Sequence, residues 1–293
     1  MNRNTVFILL VAFFSAFSYG QNDLEALFSS KDVNRNVINT FKSTRIINNH
    51  SVELFEPKQL DLRISHRFGL LNSGLYKLYG LDDAEIRLGL EYGLMNKMMI
   101  GFGRSSFKKT YDGYVKYLLV NQKKGNIELP VTVVMFSNIA VTSLEKDLHN
   151  LQPNEYPFLG RLSFCHQLLI ASKINRKLSI QLMPTLIHFN MVDVVDQKNH
   201  TFALGGGFRY LITNSLSVNS EYFYRVNTSM FDQNNYNNSF SIGVDIETGG
   251  HVFQLHVTNS RPMHESGFIT RTSGDWGDNR IHFGFNISRE FSL

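Results

Sequence analysis

The sequence predicts an all-β fold: an antiparallel transmembrane β-barrel of about 12 strands, within roughly 10–14. Three observations predict it. The N-terminus has the form of an export signal, long segments alternate with a period of two, and short turns alternate with long polar loops. The composition agrees. Of 293 residues, 43% are hydrophobic and 18% charged, which is the opposite of a disordered chain. A net charge of +4, spread along the chain, gives no footprint for nucleic acid. Cys165, the single cysteine, excludes an internal disulfide framework and any multi-cysteine zinc or iron–sulfur site.

Residues 1–20 read as a secretory signal. Arg3 supplies a positive start, Val6 to Phe14 an apolar middle, and Ser18-Tyr19-Gly20 a small-residue cleavage site after about Gly20. The apolar run is too short for a membrane helix, which needs roughly 20 residues. No later run reaches that length, so an exported chain of this kind would cross a membrane only with strands.

Residues 21–58 do not share the barrel pattern. Asn22 to Phe28 suits a short amphipathic helix and Phe41 to His50 an extended polar stretch, and the segment reads either as a periplasmic lead-in or as a lumen plug.

The predicted barrel occupies residues 59–293. Leu60, Leu62 and Ile64 alternate with Asp61, Arg63 and Ser65, and Ile86, Leu88, Leu90 and Tyr92 with Glu85, Arg87, Gly89 and Glu91. The same period runs through Phe202 to Tyr210, Leu216 to Val226 and Phe240 to Glu247. Strands of a soluble sandwich run about five or six residues, whereas these run near ten, the length that crosses a membrane at a tilt. The apolar side chains are therefore expected to face lipid, with polar and glycine-rich faces inside. Aromatics fall near strand ends, as at Phe68, Tyr92, Tyr210, Tyr224 and Phe291, where interfacial girdles sit.

Short turns are expected at Asn96-Lys97, Asn175-Arg176, Thr213-Asn214-Ser215 and Thr248-Gly249-Gly250, on the periplasmic side. Longer extracellular loops are expected at Ala140 to Gly160, Val192 to His200, Asn227 to Asn238 and Asn259 to Asn279. The last segment, with Ile281, Phe283, Phe285, Ile287, Phe291 and Leu293 in alternation, resembles the C-terminal signal read by barrel-assembly machinery. Leu293 stands where an aromatic is usual, and Arg289 breaks the apolar parity and must snorkel.

Four stretches, Thr40 to Asn48, Asp61 to Gly69, Gly101 to Ser106 and Lys109 to Tyr114, resemble an uncharacterised family of membrane-bound β-barrel domains of Bacteroidota-type outer membranes. This is a domain of unknown function, the one numbered 5777. The resemblance implies a Gram-negative outer-membrane barrel over nearly the whole mature chain. It implies no activity, substrate or catalytic residue.

The expected lumen-lining residues are Asp61, Arg63, Arg67, Glu85, Arg87, Glu91, Arg161, Arg209, Glu221, Arg225, Asp245 and Glu247. Such a set either selects polar or charged solutes or pairs across strands to fill the interior. Its near balance of sign favours pairing over strong ion selectivity. His66, His166, His188, His256 and His282 are scattered over separate segments without metal-site spacing, so no metal and no cofactor is expected. Gly205-Gly206-Gly207 lies on a strand, where close wall packing is the expected role rather than nucleotide binding. Cys165 is expected as a small wall residue.

His166 shares parity with Phe164 and Leu168 and should face lipid, and Pro184 on the next strand suggests an irregular wall. An outward Ser–His pair, with Ser163 or Ser65 as partner, is the one enzymatic reading, and no catalytic residue is assigned on it. His264 and Ser266 fall in the last long loop near Arg261, Asp275 and Trp276, which reads mainly as a polar shield over the mouth. The function expected is a narrow channel or transporter for a small polar solute. The alternatives are a closed barrel with an anchoring or assembly role and, below it, a barrel lipid esterase. Outer-membrane lipid and the assembly machinery are the expected partners, and nucleic acid is not.

Overall fold

The structure is a computed structural model that describes residues 35–144 and 157–293. The predicted signal at 1–20, the helix suggested at 22–28 and part of the 140–160 loop lie outside them. Twelve strands form the wall. They are β1 (Gln59–Leu70), β2 (Ala84–Met95), β3 (Met98–Ser105), β4 (Thr110–Val120), β5 (Thr132–Thr142) and β6 (Leu162–Lys173). β7 (Leu178–Phe189), β8 (His200–Leu211), β9 (Leu216–Arg225), β10 (Phe240–Thr248), β11 (His251–Thr258) and β12 (His282–Ser292) complete it. Each pairs antiparallel with its neighbour in sequence, and β12 pairs with β1, so the sheet closes with no free edge.

Parity follows the sequence, with apolar side chains outward and charge inward. Arg63, Arg67 and Arg87 are at most 2% exposed, whereas Leu88 and Phe102 are 51% and 55% exposed. That inversion of a soluble core marks a wall solvated by hydrocarbon.

The two rims differ. One, here the turn rim, carries the start of β1 and the end of β12, tied by the Leu293 N–H to the Lys58 carbonyl at 3.0 Å. Its hairpins are short, and Gly249 and Gly250 (φ 33° and 96°) make the two-residue turn between β10 and β11 that only positive φ allows. The exception is residues 121–131, where Lys123–Lys124 pairs with Arg35–Asn36. The opposite loop rim carries the long connections, with α1 (Met230–Asn235) between β9 and β10 and α2 (Glu265–Thr270) between β11 and β12. The Ser229 side chain caps α1 by accepting from the Asp232 N–H.

Two arcs divide the interior. From β9 through the seam to β2, the inward positions are mostly charged or polar, with Phe223 on β9 the apolar exception among the large side chains. Across β5, β6 and β7 they are largely apolar, with Val134, Phe136, Cys165, Leu169, Met183 and Ile187 buried. Phe41, Ile46, Ile47 and Val52, which precede the barrel in sequence, belong to the same apolar cluster.

Candidate functional site

Residues 40–52 run inside the barrel and turn back on themselves there. The Ile46 N–H donates to the Asn49 carbonyl at 2.8 Å and the Ser51 N–H to the Thr44 carbonyl at 2.9 Å, which makes a tight hairpin. Its tip sits on one carboxylate. Glu221 accepts from the backbone N–H groups of Ile47, Asn48 and Asn49 at 3.3, 2.9 and 3.1 Å. The tip carbonyls are met as well, that of Ile46 by Gln254 at 2.9 Å and that of Ile47 by Asn286 at 3.1 Å. Arg67 donates to the Asn48 side chain at 2.5 Å, and Gln181, from the other side, to the His50 carbonyl at 2.7 Å. A turn enclosed in a lumen must find partners for its peptide groups, and here the wall supplies them.

The hairpin stem meets charges. Arg63 donates to the Ser43 and Thr44 hydroxyls at 2.9 and 3.0 Å, and Thr44 donates to Glu91 at 2.5 Å. Lys116 donates to the Glu53 carbonyl. Arg45 lies 3.7 Å from Glu91 and 3.2 Å from Glu265, so one guanidinium links hairpin, wall and α2.

All six residues of α2 are buried, with Ser266 hydrogen-bonded to wall residue Ser163 at 2.8 Å and Phe268 edge-on to Phe223 at 5.6 Å. This corrects the expected polar shield: residues 264–270 fold inward, because Phe268 and Ile269 have an apolar wall to pack on. Trp276 stays near the rim and donates to the Phe240 carbonyl at 3.1 Å. Burial pushes the Glu265 carboxyl up, against the pull of Arg45, and burial pushes the neighbouring His264 imidazole down to about 4.

The predicted lumen residues fall into groups. Asp61, Arg63, Arg67, Arg87, Glu91, Arg209, Glu221, Arg225 and Asp245 are buried on the inward side. Arg87 pairs with Asp112, and Arg225 donates to loop carbonyls, that of Tyr236 at 2.5 Å and that of Thr270 at 3.3 Å. Glu247, near the turn rim, lies between Lys42 at 3.2 Å and Arg209 at 3.0 Å. Glu85 stands near the loop rim, 3.1 Å from Arg261. Arg161 departs from the prediction. It ends the turn Phe158–Arg161 before β6 and donates to the Leu144 carbonyl at 2.9 Å, because the strand begins one residue later.

Sequence reading did not pick out Asp112, Lys116, Arg45 or Glu265. The first two sit in plain period-two parity on β4 and could have been found. Arg45 and Glu265 lie in segments with no period to read.

Beneath the hairpin, at the turn rim, is a vestibule of about 1040 Å³ lined by Lys42, Glu53, Asp61, Arg63, Glu247 and Glu290 among others.

His166 is exposed on the outer wall, and its partner is neither Ser163 nor Ser65, which are both buried on the inward side. Ser137, opposite it on β5, lies 3.0 Å from the imidazole Nδ1. His66 stacks on Phe285 and His188 lies beside His200, both on the outer parity, while His256 is buried inside against Arg67.

Residues 41–291 match the family described as membrane bound beta barrel domain (DUF5777). No curated protein matches. Among solved structures, the KdgM porin aligns at 10% identity, covering 80% of this chain and 99% of that one, with a TM-score of 0.45. An outer membrane channel from Pseudomonas putida F1 aligns at 13% identity over 82% of this chain and 97% of its own, with a TM-score of 0.43. Outer membrane phospholipase A from Escherichia coli aligns at 11% identity, over 86% and 98%, with a TM-score of 0.46. These likenesses are architectural and say nothing of activity. The chain belongs to the family of membrane-bound β-barrel domains.

Proposed function

We propose that this membrane-bound barrel is an outer-membrane channel for a small polar solute, shut in the conformation described by its own residues 40–52. The observation that carries the reading is the hairpin tip on Glu221. A whole segment fills the lumen, and it is held there by hydrogen bonds and ion pairs that water could replace. The turn rim faces the periplasm in this reading, so the vestibule of about 1040 Å³ is the periplasmic antechamber. The alternating C-terminal strand fits delivery by barrel-assembly machinery, and the lipid-facing wall fits the outer membrane.

Planar-bilayer recording tests it. The full chain should show silence or brief openings, and a variant lacking residues 40–52 should show sustained conductance steps. A deletion variant that is folded, inserted and silent would overturn the channel. It would leave the second reading, a closed anchoring barrel, which the inward packing of α2 favours.

A further inference from the structure

On the outer wall, away from the lumen, Ser137 and His166 form a hydrogen-bonded pair facing lipid. The hydroxyl oxygen lies 3.0 Å from Nδ1, across the β5–β6 register. An ionisable side chain on a hydrocarbon-facing position is costly and calls for a reason.

Three further observations converge on this pair. A groove of about 510 Å³ opens in the wall there, lined by Met135, Ser137, His166, Leu168, Pro184 and Phe202 among others. The β6–β7 ladder is interrupted beside it: the register pairs Gln167 with Thr185 and next Ile170 with Leu182. Pro184, in the gap, brings no N–H to the ladder, and the wall is loosened beside the pair where an acyl chain would lie. Depth is the third. His166 lies four residues below the loop-rim start of β6 at Leu162. That is about 10 Å at roughly 3.3 Å per residue and a tilt near 40°. The pair therefore sits in the leaflet nearer the long loops, within reach of the ester ends of its acyl chains.

We infer that Ser137 and His166 are a nucleophile and its base, acting on acyl esters of lipids in that leaflet with the acyl chain lying in the groove. Ser137 Oγ adds to the ester carbonyl carbon while its proton passes to His166 Nδ1. The tetrahedral adduct collapses by breaking the ester C–O bond, and the imidazolium returns the proton to the leaving alkoxide. Water then adds to the acyl-serine, giving a proton to His166. Release of the fatty acid sends that proton back to Ser137 Oγ. No oxidant, metal or cofactor enters the balance.

The experiment uses the full chain folded into vesicles of a phosphatidylethanolamine with labelled acyl chains, and a fluorophosphonate probe. The expected result is a phosphonyl adduct on Ser137 by mass spectrometry, together with release of labelled fatty acid. S137A should lose both. H166Q keeps a hydrogen-bonding side chain but cannot serve as the base, and should slow both by about 100-fold or more. S163A, whose hydroxyl points inward, should behave as the parent. Folded parent protein that gives neither adduct nor release overturns the inference, as does an H166Q variant as fast as the parent or an adduct placed on Ser163. Conductance plays no part in these readouts, so the proposal stands or falls apart from the channel.

Discussion

The charged arc from β9 to β2 and the apolar arc across β5 to β7 enclose the same hairpin by different means. On the charged arc, one carboxylate and two amide side chains meet individual peptide atoms of residues 46–49, and two guanidinium groups meet the side chains of Ser43, Thr44 and Asn48. On the apolar arc, His50 packs against Phe136 at 4.4 Å between ring centroids, and Ile46 and Ile47 share a cluster with Met183 and Leu169. Directional bonds fix which residue sits where, and undirected contact supplies area. A segment held this way takes most of its register from one side, while the other adds contact area and the Gln181 bond to the His50 carbonyl.

That division can be broken on either side. The largest effect is expected from Glu221→Ala, which strands three buried N–H groups at the hairpin tip. At about 1–3 kcal/mol for each unsatisfied group, docking should weaken by roughly 4 kcal/mol. Amide exchange at residues 46–50 should then approach that of a free segment while the wall stays protected; unchanged protection would disprove the anchor. Phe136→Ala attacks the other arc and should lower barrel stability by about 3 kcal/mol, read as a shifted urea midpoint. If it instead releases the hairpin as fully as Glu221→Ala does, the arcs do not divide the work.

The pH response of α2 sharpens the picture, because two neighbours act in opposite directions. The His264 imidazole, pushed down to about 4, makes the packed loop lose stability as pH falls from 6.5 toward 4, since only the released loop takes up a proton there. The Glu265 carboxyl, pushed up from 4.5, acts the other way: its own contribution to protection is full below 4.5 and is lost as pH rises through the elevated value. Exchange measured against pH should lose the first limb in His264→Asn and the second in Glu265→Gln. The smallest effect is expected outside both arcs. Lys77 and Asp83, 3.4 Å apart and about half exposed, should change stability by no more than about 0.5 kcal/mol on Lys77→Ala.

The same contrast explains what could be read from the sequence. Where the interior is charged, the two faces of a strand differ, so β1, β2, β9 and β10 show their period openly. Val133 to Phe136 and Leu168 to Ala171 are apolar on both faces because the apolar side chains of residues 41–52 lie inside and lipid outside, and no alternation survives there. Short hairpins were legible from Gly249-Gly250 and Asn96-Lys97, whose residue types make turns. The Ser137 partner of His166 was not, since cross-strand neighbours depend on register rather than on spacing. Nor could residues 43–49 be matched to Glu221, because nothing local links groups that far apart.

That separation has a temporal consequence. The tip contacts join residues 173, 208 and 239 positions apart, and their partners stand on β9, β11 and β12. The hairpin precedes the wall in sequence, yet its contacts to Gln254 and Asn286 wait until β11 and β12 are in place. Completing its docking is therefore a late step. A barrel lacking those two strands would leave the Ile46 and Ile47 carbonyls without their Gln254 and Asn286 donors, so hairpin and seam complete one another.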